Sequence, residues 1–338
     1  MNTADRLTQY YDFSPEVLNA VSTAAEEQNT HTFDELATRY GVEDGVQRFY
    51  DGLHGFTPHP VEYVLFKPEA DYDERHMRVL HLPMACPADK NMVMRGIRLF
   101  GADPTSQLMI VGNPSSPGLS QTKFSIHEAY QVFRTHSLKP AARPLLHFLE
   151  KKGVTTTEHL GFSYGASKGA DASAESGEYG QEVVAGVFVD PANVVNRGLF
   201  RLFRDMMASN AELEEYVKQT GCEALFEARS VNNKFTDALW LTSLLRVSNL
   251  AVANVLKRDG FEDSVDNALT AQQNMYAALG SGTLSLIAID ENMRGLTTRL
   301  HDKFDDRVKP MVFDGMPHAG GDDIDLHAAM MLEGLWVK

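Results

Sequence analysis

Ser163 stands at the centre of Gly161-Phe162-Ser163-Tyr164-Gly165, after Thr157-Glu158-His159-Leu160 and before Ala166-Ser167-Lys168-Gly169-Ala170. This reads as a short strand, a sharp G-x-S-x-G turn, and a helix of small residues that must pack closely on a sheet. The glycines two before and two after the serine leave room where side chains would collide. A serine on such a strained turn has its hydroxyl pushed above the sheet. That hydroxyl is a weak nucleophile until a neighbouring base takes its proton. The base is most often a histidine, held in one tautomer by a carboxylate.

The chain offers 12 histidines. His318 is the favoured base, because it follows the apolar run Pro310-Met311-Val312-Phe313 in the loop Asp314-Gly315-Met316-Pro317-His318-Ala319-Gly320-Gly321. Proline and glycines there can place a ring over the serine turn. His327 falls inside a helical pattern from Ile324 to Leu335, and His301 lies in a charged segment before the last strand. Candidate carboxylates end two apolar runs: Asp190 after Val183 to Val189, and Asp290 with its neighbour Glu291 after Thr283 to Ile289. An Asp-Pro step such as Asp190-Pro191 commonly does no more than end a strand.

These residues need a scaffold. From Val61-Glu62-Tyr63-Val64-Leu65-Phe66 onward, short apolar runs alternate with helical patterns, such as Asn91 to Phe100 and Pro140 to Lys152. Strands of that length separated by helices predict an α/β fold with a mostly parallel central sheet flanked by helices on both faces. Residues 1–56 read as a helical N-terminal extension. Ser14-Pro15-Glu16 is a helix start, and Thr32-Phe33-Asp34-Glu35 fits a capping box. Its expected role is packing on the sheet edge, with a homo-oligomer contact as the alternative. Residues 193–282 show helical periodicity without a convincing strand, from Leu199-Phe200-Leu202-Phe203 to Met275-Tyr276-Leu279.

Composition narrows the partners. The 338 residues carry a net charge of -15, which argues against nucleic acid and against an anionic membrane surface. The N-terminal residues lack an apolar signal region, and no stretch reaches the length of a membrane span. Two cysteines, Cys86 and Cys222, are too few for a disulfide framework and do not suggest a zinc site. The expectation is a cytoplasmic protein with reduced thiols, bound to neither nucleic acid nor membrane.

The order of these segments resembles the α/β-hydrolase family over roughly residues 60 to 335. Met77-Arg78-Val79-Leu80-His81-Leu82-Pro83 resembles the strand and loop that supply half of an oxyanion hole, and Leu108 to Ser120 the next strand and its turn. The resemblance implies a serine hydrolase acting on a small-molecule acyl substrate, with no metal and no organic cofactor. Its chain order of serine, acid and histidine implies Ser163, Asp290 and His318, with Glu291 and Asp190 as alternative acids. It implies oxyanion N–H groups from Tyr164 and from the loop after His81. Pro83 has no N–H, so Met84 is favoured over Leu82. His81 itself would support structure. By the same resemblance residues 57–192 and 283–338 form the core and residues 193–282 a helical cap. The loop also lacks the usual glycine after the histidine, which supports an alternative: a weakened or inactive member that serves binding or assembly.

Overall fold

The apolar runs pair into one sheet in the computed structural model, which describes residues 2–49, 59–69, 71–83, 90–112, 126–220 and 247–336. Its strands are β1 (Glu43–Phe49), β2 (His59–Phe66), β3 (His76–His81), β4 (Gln107–Val111), β5 (Thr156–Phe162), β6 (Glu182–Val189), β7 (Tyr276–Gly282) and β8 (Val308–Phe313). They lie in the order β1-β2-β4-β3-β5-β6-β7-β8. β1 and β2 pair antiparallel, as do β2 and β4, and every pair from β4 to β8 is parallel.

The described helices are α1 (Thr3–Leu7), α2 (Pro15–Gln28), α3 (Phe33–Arg39), α4 (Lys90–Ala102), α5 (Ile126–Thr135), α6 (Lys139–Lys151), α7 (Tyr164–Glu175), α8 (Leu199–Thr220), α9 (Val247–Leu256), α10 (Phe261–Ala271), α11 (Asp290–Phe304) and α12 (Ile324–Trp336). Side-chain alternation along the strands divides the core into two layers. Ala185, Val187 and Val189 of β6 pack with α2, α4 and α12, whereas Val183 and Phe188 pack with α7, α10 and α11. Both faces of the central strands are therefore covered, as a parallel sheet requires.

Three sequence expectations change. The N-terminal extension is helical only to Arg39, and its next residues form β1. The predicted strand from Thr283 to Ile289 is a series of turns, and the strand precedes it as Tyr276–Gly282. β7 is built from small residues because its neighbours crowd it. A Cβ on Gly280 would meet the Phe313 ring, and one on Gly282 the Met316 carbonyl. The apolar run that looked like a strand leaves Leu284 and Leu286 exposed and buries Ile287 and Ala288. Finally, residues 193–282 are not one helical interval. They contain β7, and α10 covers the sheet beside α7 through Phe261, Val265 and Leu269.

N-terminal packing follows from its caps. Thr32 and Glu35 form the expected capping box. Ser14 precedes Pro15 at the start of α2, but its backbone N–H and hydroxyl donate to Glu333 of α12, each at 2.9 Å. The extension is thereby tied to the last helix.

Candidate active site

At the end of β5 the chain turns on Ser163, whose φ of 58° and ψ of -124° lie far from helix or strand. Side chains are disfavoured there, and only tight surroundings hold the residue in place. Those surroundings are specific. The Ser163 N–H donates to Val189 O at 2.9 Å. A Cβ on Gly165 would overlap the carbonyl of His81, and one on Gly161 the carbonyl of Gly165. The two glycines thus let α7 sit directly on β3 and β5.

His318 lies in a short 3-10 turn, His318–Asp322, between β8 and α12. Its Nε2 is 3.0 Å from Ser163 Oγ, and its Nδ1 is 3.1 Å from Asp190 Oδ2. The carboxylate can only accept, so Nδ1 carries the proton and Nε2 is left to accept from the serine hydroxyl. Phe162 stacks under the ring with centroids 4.9 Å apart. Asp190 is fully buried, and its Oδ1 accepts from Gly282 N at 2.9 Å. Its backbone has a φ of 49°, turning the side chain back from the end of β6 towards the histidine.

Asp290, the acid expected from chain order, does not meet His318. It begins α11, accepts from Ser281 Oγ at 3.2 Å, and pairs with Arg294 at 2.6 Å. Since β7 ends at Gly282, Asp290 is displaced by a turn region of seven residues from the strand it was read as closing. Glu291 is exposed on the same helix. The runner-up, Asp190, occupies the position instead. Its signal in the sequence was a lone carboxylate directly after an eight-residue, largely apolar strand, Glu182–Val189.

Tyr164 is the first residue of α7, where a backbone N–H has no intrahelical acceptor. Met84 lies outside the described residues, as do Cys86 and Cys222. His81 is wholly buried and pairs through Nε2 with His159 Nδ1 at 2.9 Å. Burial pushes the pKa of His159 down to about 3 and holds that of His81 well below its ordinary value, so both rings are neutral. His327 is also buried, its pKa lowered to about 3 by burial and then by Arg95. Among the described residues no group of three or more His, Cys, Asp or Glu could hold a metal ion.

Sequence reasoning missed the socket around the histidine turn. Arg95 donates to Gly321 O at 2.8 Å, and Tyr216 of α8 donates to Asp323 Oδ2 at 3.1 Å. Arg6 of α1 bonds to Asp323 and, at 2.6 Å, to Asp325, which Arg98 meets from the other side at 3.0 Å. Nothing in the local sequence around Arg6 signals a partner more than three hundred residues away.

The fold corresponds to that of known proteins. The chain is similar in structure to MGS-M2, an α/β hydrolase enzyme from a Medee basin deep-sea metagenome library, with a TM-score of 0.55 and 11% identity over 86% of this chain and 98% of that one. The enol-lactonase from Burkholderia xenovorans LB400 matches with a TM-score of 0.52 and 10% identity, over 82% of this chain and 96% of that one. A bromoperoxidase from Bacillus anthracis matches with a TM-score of 0.51 and 12% identity, over 87% and 98%. No family model and no curated protein matches the sequence. The chain has the α/β-hydrolase fold, and likenesses at this identity speak for the fold alone. Among the described residues no helix is long and apolar enough to cross a membrane.

Proposed function

We propose that the protein is a serine hydrolase that cleaves an ester or related acyl bond through Ser163, His318 and Asp190. The observation that carries this reading is His318, bonded on one side to Ser163 and on the other to Asp190. Ser163 Oγ attacks the substrate carbonyl while His318 Nε2 takes its proton. Asp190 keeps Nδ1 protonated and stabilises the imidazolium that forms. The Tyr164 N–H faces the developing oxyanion, with a second donor assigned to Met84 in the loop after His81. His318 then returns the proton to the leaving group. The acyl-enzyme is released when a water, deprotonated by the same nitrogen, attacks it. Thioester, lactone and amide hydrolysis share this chemistry, as does cofactor-free perhydrolysis.

Helix α8 packs on the histidine turn through Tyr216, so it supports the reading of residues in 199–220 as part of a roof over the site. The test is labelling with a fluorophosphonate probe, with Ser163→Ala as control. Labelling confined to Ser163 and lost in the variant is the expected result, and a panel of esters and thioesters then ranks substrates. A folded protein that stays unlabelled would favour the inactive binding or assembly protein instead.

A further inference from the structure

The loop after Asp190 crosses the junction of α9 and α10, where Arg197 N donates to Lys257 O at 2.7 Å. An open cleft of about 520 Å³ lies at this crossing, lined by Asn196, Arg197, Leu199, Lys257, Arg258 and Asp259 among others. That volume suits a small organic ligand better than a bare ion. On a chain of net charge -15, the local balance is reversed. Asp205 is shared by Arg197, Arg201 and Arg204. Lys257 and Arg258 are half-buried and form no ion pair or hydrogen bond through their side chains with any described residue. The cleft lining itself carries three cationic side chains, Arg197, Lys257 and Arg258, and one carboxylate, the exposed Asp259.

Arg197 supplies a fixed floor. Its side chain is fully buried, held by Asp205 at 3.2 Å and by the carbonyls of Leu286 and Ile287. Its Nε is buried without a partner, a state that costs free energy unless a ligand or water accepts from it. The positive field reaches the neighbouring turn: His136 is held below its ordinary pKa by burial and then by Arg258 and Lys257.

We propose that this cleft is a binding site for a small molecule bearing a phosphate dianion, with Lys257 and Arg258 as its ligands and Arg197 beneath. Two unpaired cations match a phosphate monoester, which carries close to two negative charges at neutral pH, better than they match a single carboxylate. None of Ser163, His318 and Asp190 lines this cleft, and the inference does not depend on the hydrolase reading.

The test is thermal unfolding of the full chain with inorganic phosphate, against acetate and chloride at equal ionic strength. Phosphate should raise Tm saturably by about 3 °C, with acetate matching chloride. Lys257→Ala with Arg258→Ala should lose at least about tenfold in phosphate affinity, and Arg258→Lys should retain part of it. Phosphorus NMR line broadening of the same samples reads binding directly, so a variant of lower stability still reports. Equal effects of phosphate and chloride, or undiminished phosphate binding in the double variant, would overturn the proposal. Equal effects of acetate and phosphate would overturn the dianion assignment. Fluorophosphonate labelling of Ser163 is a separate readout, so either reading can fail without the other.

Discussion

Two aspartates, each following an apolar run, divide the chemistry by one geometric difference. Asp190 turns back on its own backbone and meets both His318 and Gly282 N, whereas Asp290 looks outward to Arg294. Asp190→Asn should therefore lower kcat by about 10³ to 10⁴, because an amide no longer fixes the tautomer that lets Nε2 accept. Asp290→Asn should leave kcat within about twofold, since its partners are Arg294, whose side chain is exposed, and Ser281, and not His318. Steady-state kinetics on any ester that the wild type turns over separates the two, and equal losses would contradict the assignment. Ser163 and His318 were legible because their neighbours are glycines and prolines, whose need is local. The acid was not, because its identity depends on where a strand stops. The signal for that strand was hidden in Ala277, Ala278, Gly280 and Gly282, residues chosen for fit between β6 and β8.

At the level of elements, the histidine turn is held from three directions. α1 supplies Arg6, α4 supplies Arg95, and α8 supplies Tyr216. Asp323 and Asp325 are both buried, so removing Arg6 leaves carboxylates without full compensation. Arg6→Ala should cost about 3 to 5 kcal/mol, read as a lower urea midpoint. Arg6→Lys should recover part of it. Ser163 labelling should slow in the alanine variant even at temperatures where it is folded, because the turn that carries His318 loses an anchor. Unchanged labelling would restrict α1 to a packing role. The alternation of strand and helix, most element positions and the capping box could be read from periodicity and cap chemistry. The antiparallel β1 could not. It lies among residues whose spacing resembled the helices before it, and it becomes a strand by pairing with β2.

For the whole molecule, the buried histidines set the response to acid. His81, His159 and His327 are neutral when folded, whereas in the unfolded chain each binds a proton below the ordinary imidazole value of 6.5. The contribution of these neutral rings is full above about pH 6.5 and is lost as the pH falls, towards 3 for His159 and His327, by about 1.4 kcal/mol per histidine per pH unit. Lys168, buried on α7 and lowered to about 8 from 10.5, adds stability as the pH rises between those values. Urea midpoints at pH 7.5 and 5.5 check the acid arm, and His327→Gln should flatten it. The bonds from Arg6 to Asp323 and Asp325 also matter for biosynthesis. During translation the first helix is made with its acceptors still unmade, and they arrive more than three hundred residues later. A ribosome that stops before His318 releases a chain that lacks this histidine and both of the carboxylates that Arg6 reaches in the finished fold. Synthesis order thus makes the anchoring of the histidine turn by the first helix a late event, because the two partners are made so far apart.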